Sequence, residues 1–297
     1  MGGLLLGVGL RATDLVARLL PMRTAYALAD LAGVAWYRLA ARRRELVTGN
    51  LARVSAATGR PARGPALRRM VRQAFIEHAR YYLEMLRVPH ASIAQATAMV
   101  TVDDWDRWEP LLRGGAVVAT LHFGNPEPYG AFAAAQGLHG VAPVEEIRPT
   151  ALFEFLLARR ATGRGIRAVP LSAARRPLKD ELNNGGIAVL VADRNIAGRG
   201  HPTTLFGATT QLPTGPASLA LSSGRPFIVA ACRRIGPERF NARAWLVEAQ
   251  LTGDRRADLA ALTEAMARRM EEAIADAPEQ WFAAFQPIWG EEGGSGG

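Results

Sequence analysis

Residues 114–130 read GGAVVATLHFGNPEPYG, and the fold is decided there. The β-branched-rich run 117–121 suits a buried strand, and Asn125, Pro126 and Glu127 have the chemistry of a helix beginning. Asn125 offers a cap, Pro126 suits the first helical position, and Glu127 belongs near the positive end of the helix. A base, His122, and a carboxylate, Glu127, are thus expected together at the carboxyl end of a strand, where α/β proteins form ligand crevices. A carboxylate accepting from one imidazole nitrogen would fix the tautomer and leave the other nitrogen able to take a proton. A His and a Glu five positions apart also arise by chance, so the strand-to-cap setting carries the reading.

Toward the carboxyl end the pattern keeps alternating strands and helices, which predicts an α/β fold with a central, mostly parallel or mixed sheet covered by helices on both faces. Strands are expected at 138–144, 166–170, 186–192, 226–232 and 243–251, helices at 127–136, 150–162, 173–184 and 254–277, and a polar, Gly-rich loop at 196–212. Glu145, Glu146 and Arg148 fall just beyond the second strand. Arg159 and Arg160 close a helix, where cations also simply favour the macrodipole. The run 186–192, GIAVLVA, ends in Asp193, Arg194 and Asn195, a carboxylate and a guanidinium aimed at the crevice of His122. Asp193 could orient the imidazole and Arg194 bind a phosphate, while a structural Asp–Arg pair fits the same fragment. Thr214 would cap a small-residue helix whose start is an anion site. PEQWFAAFQPIW, at 278–289, supplies aromatics for an apolar slot, and residues 291–297 have the composition of a flexible tail.

Toward the amino end, 1–44 reads as two amphipathic helices rather than a membrane span, because Arg11, Asp14 and Arg18, then Asp30 and Arg38, interrupt the apolar runs. Arg42, Arg43 and Arg44 follow at once. Apolar faces beside an arginine cluster suit the headgroup region of an anionic membrane, and equally a face packed on the domain. Two further helices are expected at 45–57 and 65–86. In the second, Leu67, Met70, Val71, Ala74, Phe75, Ala79, Tyr82, Leu83 and Leu86 form a core stripe, Arg68, Arg69 and Arg72 a solvated face, and His78 reads as structural.

The 297 residues can bury a sizeable core, and no linker divides them, so one domain over 1–290 is expected. Net charge is +9, carried almost wholly by arginine since Lys179 is the one lysine, which fits an anionic surface or acidic ligand and equally a GC-rich coding bias. Cys232, the one cysteine, excludes an internal disulfide and reads as a buried inert thiol. No CxxC, HExxH, Walker A or GxSxG sequence occurs, so zinc, P-loop and ordinary serine-hydrolase chemistry lack their signatures. Nucleic-acid binding has charge in its favour but no aromatic-interleaved basic motif.

His122 with Glu127, the ADR at 192–194, LPTGPASLA at 212–220, PEQWFAAFQPIW at 278–289 and NLARV at 50–54 together resemble the bacterial lysophospholipid-acyltransferase-like family that holds the lipid A late acyltransferases and the phosphatidylinositol mannoside acyltransferases. The likeness covers nearly the whole chain. It implies acyl transfer from a thioester, acyl-CoA or acyl carrier protein, to a hydroxyl of a glycolipid or lysolipid at the cytoplasmic face of the cell membrane, with no cofactor beyond the co-substrate. It implies His122 as general base, with Glu127, Asp193, or each in a different role, as its carboxylate. It aligns Arg159 and Arg160 with a basic residue, and Glu145 and Glu146 with acidic residues, flanking the cleft. The residues themselves agree with that chemistry. A thioester is already activated, and transfer needs a base for the alcohol, donors for the oxyanion and cations for phosphates. The backbone of Gly124 and Asn125, with Arg194, could stabilise the oxyanion. A lipid-binding protein without catalysis is the alternative of a different class.

Overall fold

The computed structural model describes residues 2–160, 165–196, 198 and 200–289, the side chains of 2–10, 156 and 158–160 excepted. The expected tail at 291–297 lies outside the described residues. The chain opens with α1 (Gly2–Leu19), α2 (Met22–Leu39), α3 (Ala41–Ala57) and α4 (Gly64–Arg87), followed by α5 (Ile93–Ala98) with its Ser92–Gln95 capping box. Next come β1 (Val100–Val102), α6 (Trp105–Arg113), β2 (Ala116–Gly124), α7 (Glu127–Ala135), β3 (Gly140–Val144), α8 (Thr150–Arg160), β4 (Ile166–Pro170), α9 (Arg175–Asn183) and β5 (Ile187–Val191). A hairpin of β6 (His201–Leu205) and β7 (Ala208–Leu212) leads to α10 (Gly215–Ser223), β8 (Phe227–Gly236), β9 (Arg239–Leu246) and α11 (Arg255–Asp276). Two 3₁₀ turns, Pro278–Gln280 and Phe282–Phe285, close the core.

The main sheet has the order β1-β9-β8-β2-β5-β3-β4. All its pairings are parallel except β8 with β9, so the sheet is mixed. β2 lies at its centre and is buried on both faces, as a strand between two helical layers must be. Its side chains alternate. Val117, Ala119, Leu121 and Phe123 enter a core with α3, α4, α10, α11 and the closing turns, whereas Ala116 and Val118 meet Trp108 and Leu112 of α6 on the other face. In the first layer Leu67, Val71, Ala74 and Phe75 of α4 keep helical spacing and pack on Val47, Leu51 and Val54 of α3. Burying each such Val, Leu or Phe contributes about 1.5–3 kcal/mol.

Three expectations need correction. The loop expected at 196–212 contains the β6–β7 hairpin. Thr203, Leu205, Thr210 and Leu212 are buried at alternate positions, and Phe206 and Gly207, both with positive φ, make the two-residue turn. Phe-Gly is an unusual pair for such a turn, so the signal was missed. The last strand spans Arg239–Leu246 rather than 243–251, because Glu238 adopts positive φ and reverses the chain directly after β8. β1 is too short to show periodicity. Tyr82 of the expected core stripe is instead 47% exposed, while Glu77, His78 and Glu84 of the same helix are buried. None of the described helices is long and apolar enough to cross a membrane.

Candidate active site

The carboxyl end of β2 is pinned by its neighbour β8. The register shifts between Thr120 and Gly124, the Asn125 backbone N–H donates to the Cys232 carbonyl (3.1 Å), and Gly124 has a φ of +55°. A Cβ on Gly124 would stand 1.9 Å from that carbonyl oxygen, so no other residue fits. On the opposite side β5 runs in register, Thr120 beside Val191, and the Ala192 N–H donates to the Thr120 carbonyl (2.9 Å). His122 and Asp193 therefore emerge from adjacent strands at the same edge.

The two side chains meet. Nδ1 of His122 lies 2.7 Å from Oδ1 of Asp193, and the His122 backbone N–H donates to Oδ2 (2.9 Å). The Trp281 indole N–H also donates to Oδ2 (3.0 Å). Asp193 is 1% exposed. Burial pushes its pKa up, but the charge and hydrogen bond of the His122 ring, the indole and the His122 backbone N–H prevail and hold the pKa below the usual carboxylate value. An ionised carboxylate only accepts, so Nδ1 carries the hydrogen, and in the neutral ring the lone pair is on Nε2. The His122 side chain is 36% exposed.

Trp281 is fully buried and bridges Phe123 of β2. Its neighbour Gln280 exchanges two hydrogen bonds with the Arg234 backbone, at 2.7 and 2.8 Å. Arg234 anchors a second buried cluster. Its Nε and Nη2 donate to Glu84 Oε1 (2.5 Å) and Oε2 (2.7 Å), and its Nη1 to Glu77. The Tyr26 hydroxyl donates to Glu84 Oε1 (2.6 Å). Asn125 joins the cluster to the site. Its amide donates to Glu84 Oε2 (3.1 Å), and its carbonyl oxygen accepts from the N–H of Glu127, the first residue of α7, so Asn125 ties down the helix entry while Pro126, not Asn125, stands at the cap position. Fully buried, and with its backbone N–H committed to Cys232, Asn125 has neither a substrate-facing amide nor an oxyanion donor to offer.

The remaining expected residues are dispersed around this edge. Glu127 lies half-buried in the first turn of α7, and the carboxylate on the His122 ring is that of Asp193. Arg194 approaches Glu145 at 3.9 Å. Glu146 accepts from the Ser172 N–H (3.1 Å) and hydroxyl (2.6 Å), which ties the end of β3 to the end of β4. Arg148 is exposed. Arg159 and Arg160 end α8, with side chains outside the described residues. Thr214 stands at the start of α10, but its side chain makes no cap hydrogen bond.

Sequence reasoning missed the Trp281 indole, because its partner is 88 residues away. His78 is structural as expected, buried and stacked between Tyr82 and Phe282 with ring centroids at 4.8 and 4.5 Å. Burial, then the charges of His122 and Arg43, depress the His78 pKa to about 3, so it stays neutral. Cys232 is buried and burial pushes its thiol up, as expected of an inert cysteine. No group of three or more His, Cys, Asp or Glu among the described residues is placed to hold a metal ion.

The family model described as bacterial lipid A biosynthesis acyltransferase matches residues 6–289. The phosphatidylinositol mannoside acyltransferase of Mycobacterium tuberculosis (strain ATCC 25618 / H37Rv) is 29% identical over 222 residues, 71% of this chain and 67% of that protein. The phosphatidylinositol mannoside acyltransferase of Mycolicibacterium smegmatis is 28% identical over 229 residues, 74% of this chain and 72% of the relative.

Proposed function

The chain belongs to the bacterial lipid A biosynthesis acyltransferase family and is an acyltransferase, and from that premise we propose that it moves a long-chain acyl group from acyl-CoA to a mannose hydroxyl of a phosphatidylinositol mannoside, with His122 as general base. The observation that carries the mechanism is the carboxylate of Asp193 on Nδ1 of His122, which leaves Nε2 as the acceptor. As the hydroxyl oxygen attacks the thioester carbonyl, Nε2 takes its proton. The tetrahedral intermediate then collapses, the carbon–sulfur bond breaks, and the thiol leaves with the proton that the imidazolium returns. Asp193 stabilises the imidazolium through the whole cycle, and Trp281 holds Asp193 in place. A general base of this kind contributes about 10²–10⁴-fold, and orientation of the two substrates supplies much of the rest.

The acceptor is an amphiphile, and the amino-terminal helices suit its surface. Leu15, Val16, Leu19, Met22, Leu28, Leu31 and Leu39 are exposed beside exposed Arg11, Arg18, Arg23, Arg38 and Arg42. This supports peripheral attachment to the anionic cytoplasmic face of the cell membrane, apolar side chains among the acyl chains and arginines at headgroup depth. The description of the matched family supports a second reading of the acceptor, a lipid A precursor.

Purified protein is to be offered palmitoyl-CoA and palmitoyl-acyl carrier protein with a phosphatidylinositol mannoside, a lysophospholipid and a lipid A precursor, and the products read by mass spectrometry. The expected result is a palmitoylated mannoside from palmitoyl-CoA, with turnover by His122→Ala lower by about 10³-fold or more. Full turnover by folded His122→Ala would remove the base assignment, and transfer only to the lipid A precursor would move the acceptor to the second reading.

A further inference from the structure

Beside the strand end that carries Asp193 lies an open surface pocket of about 330 Å³, walled by Gly200 before the hairpin, His201 of β6, Thr214 before α10, and Arg255, Arg256, Leu259 and Ala260 of α11. That volume is within the range of small-molecule sites. Its wall touches the catalytic loop. The amide of Asn195, two residues beyond Asp193, packs against Gly200, and Gly215, next to Thr214, abuts Leu190 of β5.

The lining has a definite chemistry. Arg255 donates to the Ser218 hydroxyl (3.2 Å), and neither Arg255 nor Arg256 is ion-paired among the described residues. The neighbouring carboxylates are already engaged. Asp254 accepts from the Ala257 N–H (2.7 Å), Asp258 from the Thr252 and Gly253 N–H groups, and Glu264 faces His201 at 3.7 Å. Two guanidiniums that form no ion pair among the described residues can bind phosphate. Leu259, Ala260 and the His201 ring form an apolar and aromatic wall, on which a base can lie flat. A lipid headgroup would use the cations and leave that wall idle.

We propose that this cavity is the docking site for the phosphorylated nucleotide head of the acyl-CoA donor, with Arg255 and Arg256 on its phosphates and Leu259, Ala260 and His201 against the base. The inference rests on the acyl-transfer reading and assigns residues that the general-base chemistry does not use. With the nucleotide here, the pantetheine arm has to run past Asn195 toward His122.

The test is calorimetric titration of the full chain with adenosine 3′,5′-bisphosphate, which carries the nucleotide without the thioester. Saturable binding is expected, weakened at least tenfold in Arg255→Ala/Arg256→Ala and partly restored in Arg255→Lys/Arg256→Lys, with melting temperatures matching the parent. In turnover assays the Ala pair should raise KM for palmitoyl-CoA about tenfold with kcat changed less than twofold, while S-palmitoyl-pantetheine, which lacks the nucleotide, is used equally by both proteins. Absent or unchanged nucleotide binding overturns the proposal, as does loss in the Ala pair of binding to phosphatidylinositol vesicles instead, which would make the cavity a headgroup site. Transfer from S-palmitoyl-pantetheine tests the acyl-transfer reading separately, because that donor never engages the cavity.

Discussion

Two buried charge clusters lie side by side in this molecule, and they are completed differently. Around Arg234, the guanidinium, Glu77, Glu84 and Tyr26 satisfy one another, with Asn125 and Gln280 closing the shell. Around Asp193, the carboxylate is satisfied just as fully by the His122 ring, the His122 backbone N–H and Trp281, but the far nitrogen of the ring, whose side chain is 36% exposed, has no partner among the described residues. The first is a closed network and holds the fold. The second has one proton-accepting atom left over, and that atom is what chemistry can use. Consecutive residues, Gln280 and Trp281, serve one cluster each, so the closed network supports the open one.

The comparison breaks hardest at Arg234. Arg234→Met leaves Glu84 buried without its cation and Glu77 with Arg80 alone among the described residues, and should destabilise the protein by about 3–5 kcal/mol, measured by urea denaturation, with the turnover of the fraction that remains folded close to the parent value. A stability loss below 1 kcal/mol would deny the network its structural role.

A smaller effect is expected at His78, where the sign follows from its depressed pKa of about 3 against an ordinary 6.5. Between these values the unfolded chain binds a proton that the fold refuses, so stability is lost as pH falls below 6.5. His78→Phe keeps the stack on Tyr82 and Phe282 and removes the proton site. Its loss of stability between pH 6.5 and 4.5 should be smaller than that of the parent by about 2 kcal/mol. Parallel losses in the two proteins would show that His78 is not the group that resists protonation.

The smallest effect falls on Trp281. Trp281→Phe keeps most of the apolar volume and deletes one donor to a buried carboxylate, a hydrogen bond of about 1.5–3 kcal/mol. With the remaining donors still on Asp193, kcat should fall about tenfold with KM for the acceptor unchanged. A rise in KM with constant kcat would mean that the indole serves the acceptor instead.

Much of this arrangement was legible in the sequence because it is local. The run 116–124, its glycine break and the Asn125 entry to α7 are contiguous signals, and GIAVLVA ending in Asp193 marked the second strand of the site. Sheet order is a different kind of fact. That β2 lies between β5 and β8 follows from packing across the chain, and it is what decided that Asp193 meets the His122 ring. The β6–β7 hairpin hid behind polar residues because Thr203 and Thr210 do the inward-facing work usually marked by apolar ones. Glu77 and Glu84 escaped notice for the opposite reason: on a helix with a good apolar stripe, a carboxylate reads as solvated until its buried arginine, 157 and 150 residues away, is seen.

The most direct test of the account sets the two candidate carboxylates against each other in one assay. Palmitoyl transfer to the mannoside acceptor is to be measured at saturating substrates for Asp193→Asn and Glu127→Gln, with melting curves as the control for folding. The account predicts that Asp193→Asn loses about 10²-fold or more in kcat, because the amide no longer holds Nδ1–H or balances the imidazolium, while Glu127→Gln stays within tenfold of the parent. Full turnover by a folded Asp193→Asn beside an inert Glu127→Gln would contradict it.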